Sequence, residues 1–272
     1  MDDACSGQTF SHEARTLTEA EASKLQSDKK IVSEFKQNKL EQEAQKNWDI
    51  FYKRNTTKFF KDRHWTLREF QELLNDNSKD SKRVLLEVGC GVGNFMFPLL
   101  QEDSNLFIYA CDFSKRAVQF VTEHPLFDST RCVVFLCDIT EDDLCVNVPP
   151  SSVDVVSMIF VLSAIHPDKM VLALKNIHKV LKSGGCILLR DYGLYDYAML
   201  RFSSGHKLAD NFYVRQDGTR AYYFSLETLR ILMEQAGFTV TKTTYIQRET
   251  VNKKEGLCVP RIFVQGTFSK VS

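Results

Sequence analysis

No stretch of the chain approaches the roughly 20 consecutive apolar residues a membrane-spanning helix needs, so none is expected. The first residues lack a basic cap followed by an apolar block, which argues against a secretory signal. There are eight cysteines but no CxxC pair, and Cys111, Cys132, Cys137 and Cys186 sit inside apolar, strand-like runs. Reduced, buried thiols are therefore expected rather than a disulfide framework. Cysteine and histidine are scattered without ligand spacing, which leaves metal chemistry without support. Internal repeats and low-complexity tracts are also missing. The expectation is an intracellular, soluble, cytoplasmic protein; nuclear access stays open, since no clear basic import block stands out.

Net charge is absent too: 35 Lys and Arg balance 35 Asp and Glu. The balance is uneven along the chain. Residues 83–200 carry 9 bases against 14 acids, and residues 201–272 carry 11 against 6. Between Lys53 and Arg68 there are six bases and one acid. An acidic middle between basic segments suits a polyanionic partner, although patches of this size also occur on ordinary solvated surfaces.

What is present is a globular composition, 43% hydrophobic and 26% charged over 272 residues, enough for one large domain with appendages or two small ones. Residues 1–16 are small and polar and read as a disordered tail. From residue 17 to about 60, apolar residues recur at three- and four-residue steps without Gly or Pro, predicting a helical extension that runs to a polar linker ending at residue 82. The texture then changes. Short apolar runs at 84–88, 106–111, 133–137, 153–162 and 186–189 alternate with helix-like segments at 95–102, 115–123 and 168–181. That alternation predicts a doubly wound α/β domain over residues 83–268 with a mostly parallel sheet. An aromatic- and Gly-rich insertion at about 193–224 is too long for an ordinary connector. A helix from Ser225 to residue 236 and two final β-rich runs, 239–248 and 261–268, follow.

The most informative segment is LEVGCGVGN, residues 86–94. A buried strand runs into E-x-G-x-G-x-G, with Gly89, Gly91 and Gly93, and a helix starts just after. Glycines there let the backbone approach a ligand closely, and helix N-terminal amides favour a polar group. The second strand ends in Asp112, placed to accept hydrogen bonds from the hydroxyls of an adenosine ribose. Asp138-Ile139 closes the third strand, where an adenine amino group could be met. The third glycine comes one residue earlier than in the dinucleotide pattern G-x-G-x-x-G.

These residues resemble the class I S-adenosylmethionine-dependent methyltransferases over residues 83–268. The resemblance implies a Rossmann-like, seven-stranded, mostly parallel sheet and S-adenosyl-L-methionine as cofactor. It puts Gly89 and Gly91 against the methionine part, Asp112 on the ribose, Asp138 and Ile139 on the adenine and Ile159 beside the sulfonium.

Absences narrow the acceptor. The [DN]-P-P-[YFW] motif of exocyclic-amine methylation is missing after the fourth strand, and no Pro-Cys supplies a nucleophile for cytosine C5. Cytosine N3 is unprotonated near neutral pH and needs only positioning and electrostatics. Its methylation leaves a cation, which acidic or aromatic neighbours would favour. Asp191, Tyr192 and Phe160 are the candidate substrate-pocket residues; Arg190-Asp191 reads also as a structural ion pair and Phe160 as plain core. Aromatics interleave with bases in QKNWDIFYKRN and FFKDRHW, as RNA binding would use them, or as a helix packing its rings on the domain would. Lys53, Arg54, Lys58, Lys61, Arg63, Arg215, Arg220, Lys253 and Lys254 are the candidate RNA-binding cations.

Taken together, EQEAQKNWDIFYKRN, FFKDRHW, LEVGCGVGN, FVLSAIHPDKM, RDYGLYDYAMLRF, NFYVRQDGTRAYYF and RETVNKKEGLCVPR resemble the tRNA N3-methylcytidine methyltransferases of the methyltransferase-like group. The resemblance spans about residues 30–268. It implies methylation of cytidine 32 in the anticodon loop, with serine tRNAs the expected substrate and seryl-tRNA synthetase a partner. It also implies that Trp48 and Tyr52 close over the cofactor. Two other classes remain open at this point: a class I methyltransferase acting on protein or a small molecule, and a non-catalytic RNA-binding protein with a relic cofactor site.

Overall fold

After Arg83, the run VLLEV has no polar residue until Glu87, as expected of a strand covered on both faces. In the computed structural model it lies in β2 (Arg83–Val88), the middle strand of the five-stranded parallel part of an eight-stranded sheet. The structure describes residues 8–57, 59, 61–73, 82–252 and 257–271. The sheet is built from β1 (Thr9–Ser11), β2, β3 (Leu106–Asp112), β4 (Cys132–Leu136), β5 (Val153–Ile159), β6 (Leu181–Tyr192), β10 (Phe238–Asn252) and β11 (Leu257–Lys270), in the order β1-β10-β11-β6-β5-β2-β3-β4. Pairings from β4 to β6 are parallel, and those of β6 with β11, β11 with β10 and β10 with β1 are antiparallel.

Seven of these strands are the expected ones. The eighth is Thr9–Ser11, which pairs with Gln247, Ile246 and Tyr245 at the edge beside β10. Part of the segment expected to be a disordered tail is therefore ordered by a sheet edge that offered unpaired backbone groups. Residues 1–7 lie outside the described residues.

Period-two alternation divides the core. Leu85, Val155 and Leu188 face one side of the sheet with Ile108 and Ala110, while Leu86, Val156 and Ile187 face the other. On the second side lie α7 (Pro167–Val180) and α9 (Leu226–Gln235), which bury Met170, Leu174, Ile177, Leu229 and Met233. α9 starts at the expected cap, Ser225, whose Oγ accepts from Thr228 N at 2.9 Å. On the first side α5 (Met96–Glu102) packs together with Phe70 and Leu73. Those two residues come from the N-terminal extension, which therefore shares this core; residues 74–81, within the segment read as a polar linker, lie outside the described residues.

The extension itself departs from one continuous helical reading. It forms α1 (Glu19–Ser27), α2 (Glu34–Gln42) and α3 (Ala44–Asn55), followed by the short α4 (Thr66–Glu69). Between α1 and α2 the chain is irregular because Val32 N donates to Lys207 O at 2.8 Å. Lys207 opens a small antiparallel sheet, β7 (Lys207–Ala209), β8 (Phe212–Val214) and β9 (Arg220–Tyr222), formed by the insertion after α8 (Tyr197–Leu200). Val32 and Leu40 are buried against Leu208, Phe212 and Val214. α3 packs Phe51 and Tyr52 on Val92 and Ala117, the latter from α6 (Lys115–Thr122).

Candidate functional site

The parallel strands β2, β3, β4 and β5 end on one edge, and a cavity of about 650 Å³ opens there. Gly89, Asp112, Asp138 and Ile139 line it from the sheet, and Trp48 and Tyr52 from α3. A smaller cavity of about 40 Å³ adjoins it, lined by Glu87, Gly91, Arg63 and Ile159. Trp48, Tyr52, Gly89 and Phe160 border both. All eight residues expected to meet the cofactor are thus brought to these two connected spaces.

Local geometry explains the residue types. Gly89 and Gly91 have φ of +66° and +55°, the left-handed region that side chains disfavour. A Cβ on Gly91 would come within 2.9 Å of Tyr52 Oη, so the glycine is what lets α3 seat on the loop. Asp112 is buried; its Oδ2 accepts from Gly91 N at 2.9 Å and its Oδ1 from Ser114 N at 2.9 Å. Burial raises its pKa from the usual carboxylate value to about 6, against the lowering effect of those amides. Asp138 Oδ1 accepts from Thr140 N and Oγ1, at 2.9 and 2.7 Å, leaving Oδ2 without a partner among the described residues at the cavity wall. Asp49 fastens α3 to the sheet: its Oδ1 accepts from Ser114 Oγ at 2.5 Å and from Arg116 N at 3.3 Å, at the start of α6. Gln45 Nε2 donates to Phe113 O at 2.6 Å beside it.

At the end of β5, Phe160 adopts φ +62° while its N–H donates to Arg190 O at 2.8 Å. Strain of this kind persists where surrounding structure enforces it, commonly at functional sites. The rings of Phe160, Tyr192 and Tyr223 follow one another with centroids 5.1 and 5.7 Å apart. Asp191 is wholly buried and accepts from Ser163 N and Tyr192 N, each at 2.9 Å. Burial pushes its pKa up to about 6. The expected alternative, an Arg190–Asp191 ion pair, is not what forms. Arg190 pairs instead with Glu69 and lies over the Trp65 ring at 4.2 Å, tying the extension to β6.

The candidate RNA-binding cations divide. Lys53, Arg54 and Lys61 are exposed. Lys58, Lys253 and Lys254 lie outside the described residues. Arg63 turns inward: its guanidinium donates to Ile159 O at 3.1 Å and stands 5.4 Å from the Phe160 ring centroid, and burial lowers its pKa. Arg220 is buried and paired with Glu41, whose other oxygen takes Lys169 at 2.9 Å. Both charges are spent inside the fold: Arg63 carries the extension onto Ile159 O of β5, and Arg220 of the insertion meets Glu41 of the extension. Glu41 and Lys169, which join this network over the large cavity, fall inside EQEAQKNWDIFYKRN and FVLSAIHPDKM but were assigned no role: on a polar helix face each looks like any solvated charge. Glu87, the acid that opens E-x-G-x-G-x-G, was likewise assigned no role. It is buried with Oε2 unpartnered among the described residues, and burial raises its pKa to about 8.

The order of the sheet strands, the glycine turn after β2 and the acids at the tips of β3 and β4 define a class I methyltransferase. A cavity of this volume falls in the range of small-molecule sites, and the close-approach glycines and the open acceptor on Asp138 suit S-adenosylmethionine. Residues 59–243 match a family model described as a methyltransferase domain. A human protein named tRNA N(3)-cytidine methyltransferase METTL6 is 62% identical over 259 residues, covering 95% of this chain and 91% of its own. The tRNA N(3)-methylcytidine methyltransferase trm141 of Schizosaccharomyces pombe is 42% identical over 243 residues, covering 88% of this chain and 98% of its own. Among solved structures, a SAM-dependent methyltransferase from Anabaena variabilis shares the fold with a TM-score of 0.61, at 14% identity over 83% of this chain and 94% of its own. The chain belongs to the tRNA N(3)-cytidine methyltransferase family, and its cofactor is S-adenosyl-L-methionine.

Proposed function

We propose that this chain methylates N3 of cytidine 32 in the anticodon loop of tRNA, with serine tRNAs as substrates and seryl-tRNA synthetase as a partner in choosing them. The observation that carries the reading is the extent of the similarity: it runs over 95% of the chain, through the N-terminal extension and the insertion as well as the methyltransferase domain.

Bound S-adenosylmethionine supplies an electrophilic methyl group on sulfur. Asp112 accepts hydrogen bonds from the ribose hydroxyls, and Asp138 with Ile139 holds the adenine. Gly89, Gly91 and Ile159 leave room for the methionine end, while Trp48 and Tyr52 keep water out. The target cytidine leaves the stack so that its Watson–Crick edge reaches the methyl group. Phe160 and Tyr192 hold the base by stacking. The buried carboxylate of Asp191, which accepts from Tyr192 N, favours the positive charge that methylation creates on the ring. Lys53 and Lys61 meet phosphates, which orient the RNA without reading its sequence. A distribution in the cytoplasm, with access to the nucleus, goes with this substrate and is checked by imaging the tagged chain.

The test is incubation of purified protein with methyl-labelled S-adenosylmethionine and total tRNA, with and without seryl-tRNA synthetase, followed by digestion to nucleosides. Label in 3-methylcytidine is expected, increased by the synthetase. Cofactor binding without label in any tRNA nucleoside overturns the reading.

A further inference from the structure

A second cavity, of about 660 Å³, opens beyond the Phe160–Tyr192–Tyr223 row of rings. Arg54 reaches it from the end of α3, Arg201 from the end of α8, His206 from the following turn and Arg215 from the β8–β9 turn. Asp217 is the carboxylate in its lining, and Thr219 N and Oγ1 already donate to its Oδ1 at 2.9 and 2.7 Å. None of the three guanidinium groups forms an ion pair among the described residues. Arg215 uses one nitrogen on Thr219 Oγ1 and Arg220 O, at 3.3 and 3.0 Å, while Arg201 lies over the Tyr197 ring. His206, also in the lining, keeps its Nδ1 with Ser203.

The independent mark of a ligand here is Tyr223. It is 0% exposed, lines this cavity, and its hydroxyl has no hydrogen-bond partner among the described residues. A buried hydroxyl left unpaired has lost its water without compensation, so such groups are rare unless something absent from the protein completes them. The surplus of cations defines the chemistry of that missing partner as an anion with several acceptor oxygens, to which arginine forks are suited. Location defines it further. Arg215 stands 5.4 Å from the Tyr192 ring centroid, so the cavity begins one ring away from the residue proposed to hold the target base.

We infer that this cavity is a phosphodiester subsite for the RNA strand beside the extruded nucleotide, with Tyr223 Oη donating to a phosphate oxygen and Arg201 and Arg215 neutralising its charge. This rests on the proposed action on RNA and adds to it a fixed grip on the backbone next to the target. It assigns a shared task to residues from three separate segments, of which Arg201, His206 and Tyr223 have no role in the cofactor site.

The test uses the full chain and a 17-nucleotide RNA stem-loop carrying the target cytidine, with binding read by fluorescence anisotropy from 50 to 300 mM KCl. Arg201→Gln is expected to weaken binding about tenfold and to make the salt slope less negative by about 0.7–0.9, the share of one phosphate. Tyr223→Phe, which removes only the hydroxyl, is expected to weaken binding about threefold to tenfold. Calorimetric affinity for S-adenosylhomocysteine reports whether each variant is folded and is expected to stay within twofold of the parent. A single neutral methylphosphonate, moved through the three linkages on either side of the target, should weaken binding by the parent at one linkage and leave binding by Arg201→Gln unaffected there. If the parent methylates tRNA but both folded variants bind RNA with unchanged affinity and slope, the subsite is wrong while the function stands. If the parent neither binds nor methylates tRNA, the proposed function fails first.

Discussion

Glu87 is flanked by two apolar residues of β2, its pKa is raised to about 8 by burial, and Arg63 beside it is the opposing influence. A carboxyl whose folded value lies above its unfolded one contributes stability in full below the unfolded pKa. That contribution is lost as pH rises through the folded value. Glu87→Gln, which never ionises, should therefore raise the melting temperature by about 2–8 °C at pH 8 and by little at pH 5. A lower melting temperature at pH 8 would mean instead that Glu87 is charged and paired with Arg63. Asp112 and Asp191, both moved to about 6, predict separable acid limbs. Protonation of Asp112 removes acceptor capacity, so S-adenosylhomocysteine affinity should fall between pH 7 and pH 5.5. Asp112→Asn should start about 10- to 100-fold weaker and lose most of that pH dependence. At saturating cofactor, the methylation rate should show its own acid limb near pH 6, which Asp191→Asn abolishes along with most of the rate. An unchanged limb in that variant would remove Asp191 from the chemistry.

Helix α3 is the element on which the site depends, and its attachment is specific rather than merely apolar. Asp49 adds a carboxylate to the start of α6, where Ser114 already caps Ala117 N at 3.2 Å. Asp49→Ala should cost about 1 kcal/mol in urea unfolding and speed amide exchange across residues 44–55, with α7 unaffected. Gly91→Ala acts on the same contact from the other side. Its left-handed φ costs about 1–2 kcal/mol with a side chain, and the added Cβ meets Tyr52 Oη at 2.9 Å. Loss of more than tenfold in cofactor affinity is expected by calorimetry; retention of affinity would show that Tyr52 can move away freely. The aromatic face of α3 was readable from its spacing. The interruption between α1 and α2 was not, because that segment contains neither Gly nor Pro and bends only to pair with Lys207, about 175 residues later in the chain.

Across the whole molecule, the extension and the insertion fold as one layer over the strand ends, locked by Arg220, Glu41, Lys169 and Glu141. Arg220 is buried while Glu41 is half-buried, so cutting the pair exposes the arrangement to more than a surface-bridge loss. Arg220→Ala should destabilise by about 1–3 kcal/mol, and the Arg220→Ala, Glu41→Gln double variant by less than the sum of the singles in a denaturation cycle. Strict additivity would mean that the two residues are not coupled.

Local requirements determined much of this protein before any packing was known. The alternating apolar residues of the strands, the glycines at a left-handed turn, the caps at Ser114 and Ser225 and the acids at strand tips each answer to a few neighbouring residues. The lining of the strand-end cavity was legible for that reason. Tertiary structure decided which charges remain for a partner. Arg63 and Arg220 look like Arg54 and Arg215 in sequence, yet the first two are spent on Ile159 O and Glu41, while the others border an open cavity. A cation's role depends on what stands opposite it, and here those partners come from segments up to 179 residues away. The unpaired hydroxyl of Tyr223 follows the same logic: only folding shows that nothing in the described chain reaches it.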